Sequence, residues 1–386
     1  MAKKTATIPK HDSEPALVFT LIENGKVYTP EAIGVQSVLL ANDRIVQIGA
    51  VDGRKLAALD LPCVTVDATG CVVTPGFIDP HEHLIGAGGE RGFGSRTPEV
   101  PLDEILQAGV TTVVGCLGTD TITRHLTALL GKARALTAAG ITAYMYTGGF
   151  PVPPPAITQS IMDDLVLIPE VIGVGEIAIA DNRAVAPDLH ELAKLVSGAF
   201  LGGLVGGKAG VTHFHTGPGA ARLSLLHRLL DEHDISPDHL YATHVERSPE
   251  LMDDAIALAR RGAYVDIDVV EEDLARWVAY YRDHDGPPDH LTVSSDAHAG
   301  TGRPVYYAQF QSCVHEAGIL LAEILPFFTQ NTATVLQLPR KGRIAVGGDG
   351  DLLVMDKRTL DLVHLFVRGR RLIKSGQIQE GDGDNG

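Results

Sequence analysis

Asp79-Pro80-His81-Glu82-His83 closes the apolar run Val72-Val73-Thr74-Pro75-Gly76-Phe77-Ile78. Side chains two apart on an extended strand point the same way, so the His81 and His83 imidazoles can reach one metal ion. Four more residues of ligating type stand at the ends of later apolar runs: Glu176, His215, His244 and Asp296. Imidazole nitrogens and carboxylate oxygens suit zinc-like ions at about 2.0 to 2.2 Å. An isolated histidine in a strand is more often a hydrogen-bonded core residue. Four imidazoles and two carboxylates at matched strand ends instead make a site for two divalent cations, zinc being the expected pair. His213 shares a face with His215 one layer deeper and reads as a supporting group; His298 falls on the loop beyond Asp296.

For these groups to converge, the elements carrying them must form one sheet with a common end. Between about Cys71 and Pro339, β-rich runs alternate with helical stretches, the pattern of βα units on a parallel sheet. Eight strands are expected near Val72–Ile78, Val110–Val114, Thr142–Thr147, Val171–Ile179, Val211–His215, Leu240–His244, Ala263–Ile267 and Leu291–Ser295. One intervening helix is punctuated by Ser248 as N-cap, Pro249 at its first position and Gly262 at its stop. Eight units close most simply as a (β/α)8 TIM barrel, whose chemistry sits at the C-terminal strand ends.

Both chain ends read differently. Leu17–Ile22, Ser37–Leu40, Arg44–Ile48, Asp351–Met355 and Leu362–Arg370 are short strand-like runs separated by turns. Neither end is long enough for a sandwich alone, so 16–70 and 343–378 are expected to pair into one small β-sandwich domain beside a barrel at 71–342. The polar ends, 1–15 and 379–386, are expected to be disordered tails.

Composition narrows the function. Net charge is −16, which argues against nucleic acid or an anionic membrane as partner. No window of the sequence has the uninterrupted apolar length of a membrane span, and Met1-Ala2-Lys3-Lys4-Thr5 lacks the apolar core of a signal peptide, so a cytoplasmic location is the default. Cys63, Cys71, Cys116 and Cys313 have no CxxC spacing and read as buried small apolar residues. Gly202-Gly203-Leu204-Val205-Gly206-Gly207-Lys208-Ala209 falls short of a phosphate loop, because Ala209 stands where a hydroxyl must reach magnesium.

Longer motifs carry a resemblance. Pro75-Gly76-Phe77-Ile78-Asp79-Pro80-His81-Glu82-His83-Leu84-Ile85-Gly86, Gly88-Gly89-Glu90, Arg96-Thr97-Pro98-Glu99-Val100, Gly115-Cys116-Leu117-Gly118-Thr119-Asp120, Gly207-Lys208-Ala209-Gly210-Val211-Thr212, Thr243-His244-Val245-Glu246-Arg247 and Ser294-Ser295-Asp296 together resemble the isoaspartyl dipeptidase branch of the amidohydrolase superfamily. The resemblance implies a binuclear metal-dependent hydrolase acting on a β-aspartyl dipeptide. It implies that His81, His83 and Asp296 hold one metal, that His215 and His244 hold the other, and that Asp296 moves the proton of the bridging water. It further implies that Glu90 pairs the substrate ammonium, that Arg183 and Arg247 grip carboxylates, and that the protein self-associates.

The sequence departs from that family in three places. The family's bridging group is a carbamylated lysine; here Val174-Gly175-Glu176-Ile177 aligns with a one-residue insertion and places Glu176 there, a carboxylate of comparable reach. Carbamylation of Lys208 is the rival. Phe150 stands where the family has a tyrosine that helps polarise the substrate carbonyl, with Tyr146 as the nearest hydroxyl, and Gly300, followed by Thr301, replaces a carboxylate-binding serine. Hydrolysis of a cyclic amide or another N-acyl amino acid therefore stays open, as do a mononuclear deaminase and a non-catalytic scaffold.

Overall fold

The computed structural model describes residues 17–58, 61–299 and 305–379. The tails at 1–15 and 380–386, together with Gly300 and Thr301, lie outside the described residues. Chain order begins with β1 (Phe19–Tyr28), β2 (Ala32–Ala41), β3 (Arg44–Gly49), β4 (Cys63–Asp67) and β5 (Cys71–Pro75). The barrel strands follow: β6 (Phe77–Glu82), β7 (Val110–Gly115), β8 (Thr142–Thr147), β9 (Val171–Ile179), β10 (Val211–Thr216), β11 (Leu240–Thr243), β12 (Tyr264–Asp268) and β13 (Leu291–Ser294). The chain ends with β14 (Leu352–Asp356), β15 (Leu362–Val367), β16 (Arg370–Lys374) and β17 (Gln377–Ile378).

β6 to β13 form an eight-stranded sheet in sequence order, every pairing parallel. The last strand returns to the first: Asp296 N–H donates to His81 O at 3.1 Å, and His83 N–H to Ala297 O at 3.1 Å. The seam of the barrel thus runs between residues picked out as ligands. Ile78, Val114, Tyr146, Ile172, Val211, Tyr241 and Tyr264 fill the interior as one cluster with Val335 and Leu336. Helix Pro249–Arg260 begins as its sequence signals require, with Ser248 Oγ accepting from Leu251 N–H at 3.2 Å. No helix among the described residues is long and apolar enough to cross a membrane.

The apolar run before the histidines is not one strand but two. β5 pairs with β1 and, antiparallel, with β14, whereas β6 pairs with β7 in the barrel. The break is at Gly76, where a Cβ would stand 2.4 Å from the Thr111 side chain; only glycine lets the chain pass that strand closely as it changes sheets. The barrel therefore starts at Phe77 rather than in the Cys71 region. Likewise Leu362–Arg370 is interrupted at Arg368-Gly369, both at positive φ, which makes a turn between β15 and β16. β4 was not anticipated, and Gln379, expected in the tail, donates N–H to Leu372 O at 2.8 Å.

Both ends of the chain meet in one nine-stranded sheet, ordered β17-β16-β15-β14-β5-β1-β2-β3 with β4 also on β1. The Asn42-Asp43 turn reaches the distant Arg368-Gly369 turn through Gly350, whose N–H donates to Asp43 O at 2.8 Å and whose O accepts from Gly369 N–H at 2.9 Å. The sheet therefore curls around its own apolar cluster, which includes Ile22, Val27, Val38, Leu40, Ile45, Val66, Val73, Leu352, Val354 and Phe366.

An ion cluster links this sheet to the end of the barrel. Lys341, buried, donates to Asp351 Oδ2 at 2.5 Å and lies 3.0 Å from Asp349 Oδ2, while Asp349 also pairs with Arg340 and with Arg44 of β3. Burial alone would lower the Lys341 ammonium, but Asp351 and Asp349 outweigh it and hold its pKa above the ordinary lysine value. A folded pKa raised above the unfolded one stabilises fully below the unfolded value and is lost as pH rises through the folded one, so this contribution persists at neutral pH. Lys341→Met leaves two carboxylates without their shared buried cation and is expected to cost about 3–5 kcal/mol. Urea unfolding of both proteins at pH 7 measures it; an unchanged midpoint would show that the cluster adds nothing.

Candidate active site

The six candidate ligands converge at the C-terminal end of the barrel, all buried. Glu176 is their centre. Its Oε2 lies 3.0 Å from His215 Nδ1, 3.5 Å from His81 Nε2 and 3.5 Å from His244 Nε2, and its Oε1 lies 3.7 Å from His83 Nε2. Asp296 Oδ1 faces the first pair, 3.1 Å from His83 Nε2 and 3.5 Å from His81 Nε2.

Local backbone explains how Glu176 gets there. Thr212 pairs with Val174 and Phe214 with Ile177, so Gly175 and Glu176 both stand opposite His213. This is a β-bulge, which inserts one residue and re-aims a side chain. Gly175 is required at its base, since a Cβ would come 2.8 Å from His213 Cβ. His244 and Asp296, each just past a strand end, take left-handed φ values of 62° and 44°, a sparsely populated conformation for residues other than glycine.

The donor set fits a divalent cation. His81 Nε2 and Asp296 Oδ1 are buried with no hydrogen-bond partner, a costly state that a shared ion relieves. Donor atoms of His81, His83, Cys116 and Glu176, of Glu176, His215 and His244, and of His244, Asp268 and Asp296 lie within 4.8 Å of one another in each group. Burial pushes Glu176 up, but the surrounding His215 and His81 outweigh it and hold it well below the usual carboxylate range.

Two carboxylates around this centre were not singled out from sequence. Asp268, at the end of β12, accepts from His244 Nδ1 at 2.6 Å, and Asp181, in the loop after β9, faces His215 Nε2 at 3.0 Å. Each fixes which ring nitrogen faces Glu176 and raises the donor strength of that imidazole. The hydrogen bond from His215 is the main influence that depresses Asp181. Asp268 lay at a strand end with the right residue type; its place in Val265-Asp266-Ile267-Asp268 was the available signal.

Of the remaining candidates, Arg183 and Glu90 join the site through Asp181. Arg183 spends its fork on Asp181, Nε to Oδ1 at 3.0 Å and Nη2 to Oδ2 at 2.7 Å, and its Nη1 lies 3.6 Å from Glu90 Oε1. Glu90 also accepts from Thr119 Oγ1 at 2.9 Å. Arg247 is exposed, in the turn that follows His244. Phe150 packs on His215 with ring centroids 4.5 Å apart, and the Arg183 guanidinium lies 5.2 Å from its ring.

No family model matches the chain. Among solved structures, β-aspartyl dipeptidase from the thermophilic keratin-degrading Fervidobacterium islandicum AW-1 superposes with a TM-score of 0.89 at 37% identity, covering 94% of this chain and 99% of that one. The chain belongs to the β-aspartyl dipeptidase family of the amidohydrolase superfamily. The same enzyme in complex with a β-Asp-Leu dipeptide gives 0.88 at 35% identity, with the same coverage. Adenine deaminase from Geobacillus kaustophilus is 25% identical over 92% of this chain, which spans only 58% of that relative's length.

Set within the β-aspartyl dipeptidase family, the sequence departures resolve in part. Phe150 does reach the site, and it brings no hydroxyl. Tyr146 does not replace it: its ring is fully buried, stacked on His213 at 5.0 Å in the barrel interior, with its hydroxyl unpartnered. His213 itself sits between Tyr146, Tyr241 and His81, and burial lowers it to about 3, so it is neutral. Lys208 caps carbonyls of Leu165 and Ile168 before β10 begins, away from the ligands, so it offers no bridging carbamate. His298 turns outward to Glu104 Oε2 at 2.9 Å and Pro98 O at 3.0 Å, anchoring the loop that carries Asp296.

Asp268→Asn removes the charge that orients His244 while keeping its shape. Loss of such a partner weakens metal binding by about 10–100-fold. Competition of the purified protein against a graded chelator should show this as early release of one metal; retention equal to that of the parent would assign Asp268 no such role.

Proposed function

We propose that this protein is a binuclear metal-dependent amide hydrolase acting on β-aspartyl dipeptides. The observation that carries the proposal is the single Glu176 carboxylate set among four imidazoles, with His81 Nε2 and Asp296 Oδ1 buried and unpartnered beside it. His81, His83 and Asp296 would hold one ion, His215 and His244 the other, and Glu176 would join them. When bound, the two cations, zinc by the nature of these donors, supply an acidified water and a Lewis acid for the scissile carbonyl.

The chain's own groups do the rest. Asp296 takes the water's proton and returns it to the leaving amine. Glu90, held by Thr119 and Arg183, presents a carboxylate for the substrate ammonium. Arg247 offers an uncommitted planar fork for a carboxylate, whereas Arg183 has spent its own on Asp181 and reaches outward only through Nη1. The relative crystallised with β-Asp-Leu supports this substrate class. Phe150 supports a second reading, hydrolysis of a cyclic amide or another N-acyl amino acid, because it removes a hydroxyl from the carbonyl side.

Self-association belongs to the same proposal. On helix Leu189–Gly206, Phe200, Leu201, Leu204 and Val205 are 40–66% exposed, and Leu167 on the neighbouring helix is 67% exposed; a second copy would cover them.

Assay of zinc-loaded protein against β-Asp-Leu, hydantoins and N-acyl amino acids tests the reaction, with elemental analysis beside it. Two ions per chain, turnover of the dipeptide and loss of turnover on chelation are expected. Turnover of cyclic amides alone would move the substrate, and fewer than one ion per chain would sink the hydrolase. Arg247→Ala is expected to raise KM for the dipeptide by about 10- to 100-fold with kcat little changed, the loss of a charge-assisted hydrogen bond worth about 1.5–3 kcal/mol. Steady-state kinetics would refute this by showing an unaltered KM.

A further inference from the structure

The four candidate imidazoles fall into three kinds by what stands behind them. His215 and His244 each back onto a carboxylate, Asp181 and Asp268. His81 Nδ1 has no hydrogen-bond partner. His83 backs onto a thiol: Cys116 Sγ lies 3.5 Å from His83 Nδ1, within sulfur hydrogen-bond range, and 3.8 Å from Glu82 O. Cys116 follows β7 directly and is fully buried, and its own N–H is tied to Glu82 O at 3.0 Å. The backbone at Cys116 is thus held beside the strand that carries His83. Gly118 completes the wall: a Cβ there would lie 3.3 Å from His83 Cε1.

We propose that Cys116 is a positioning residue for the metal held by His83, accepting the Nδ1 proton on Sγ and passing its own S–H to Glu82 O. His83 Nε2 faces Asp296 Oδ1 and Glu176 Oε1; with an ion held at Nε2 between those carboxylates, the ring's proton belongs on Nδ1. A sulfur acceptor there fixes that tautomer and the tilt of the ring, the task that Asp181 and Asp268 perform for the other ligands. The sequence alone gave Cys116 the part of a small apolar core residue; a valine or leucine would fill the same space without accepting a proton. The inference rests on the metal-site reading above for the tautomer and its consequence, while the thiol–imidazole contact itself exists without it.

The test compares the parent with Cys116→Val, which keeps the volume but removes the acceptor, and Cys116→Ser, which keeps a donor and acceptor. Chelator competition on the zinc-loaded proteins should show one ion of the Val variant released at about 10–100-fold lower chelator concentration, with the Ser variant largely restored and the second ion unmoved. Equal retention in parent and Val variant overturns the proposal, as does equal loss in Val and Ser. Cobalt substitution separates positioning from direct ligation: a thiolate-to-cobalt band in the near ultraviolet that vanishes in the Ser variant would make Cys116 a ligand and overturn it. If the Val variant fails to fold, the parent-minus-Ser infrared difference spectrum still decides. A Cys116 S–H stretch shifted down as in a thiol donating to a carbonyl is expected, and a stretch at the free-thiol position refutes the donation to Glu82 O on which the proposed orientation of the sulfur depends. That last measurement needs no metal, so failure of the metal-site reading and failure of this proposal are told apart.

Discussion

One carboxylate is shared by four buried imidazoles, and much of the barrel end is arranged around that fact. Glu176 is taken out of water completely, which is expensive for a charged group, and what offsets the cost is the ring of nitrogen donors around it. The same donors would leave His81 Nε2 and Asp296 Oδ1 stranded were no cation to join them. Burial, charge and coordination are therefore a single constraint here: none of these side chains is stable in its place without the others.

Support for that centre spreads outward in layers of ordinary chemistry. Asp181 ties His215 to Arg183, Arg183 reaches Glu90, and Glu90 is steadied by Thr119. The path runs from Glu176 through His215 outward to Glu90, so a change at Glu90 bears on His215 through one ion pair and two hydrogen bonds. On the far side, His298 pins the Asp296 loop to Glu104. The small sheet takes no direct part; it is tied to the barrel by the crossover at Gly76, by shared apolar packing and by the Lys341 cluster, which anchors the segment leaving the last barrel helix.

Much of this convergence was legible in the sequence because the candidate ligands are strand-end residues and strand ends follow hydrophobic runs. His81, His83, Glu176, His215, His244 and Asp296 could be read from type and position, but the bulge that re-aims Glu176 could not. What could not be read depended on contacts between distant segments. Asp181 and Asp268 become partners only when neighbouring strands pair in register. Arg183, a free cation on the page, is committed once Asp181 is folded beside it. The division of Val72–Ile78 into two strands was hidden because apolarity runs straight through Gly76, and only the crowding at Thr111 reveals where the chain changes sheets. Tyr146 and Phe150 lie four residues apart, too close for periodicity to say which one the loop would deliver to the mouth.

The barrel's seam has a consequence for how the protein is made. His81 and His83 leave the ribosome more than two hundred residues before Asp296, yet the hydrogen bonds that join first strand to last pass through those same residues. During translation the early histidines have neither the carboxylate across the seam nor the closed wall that excludes water. The pocket at the barrel end is therefore complete only once the final strand has docked against the first.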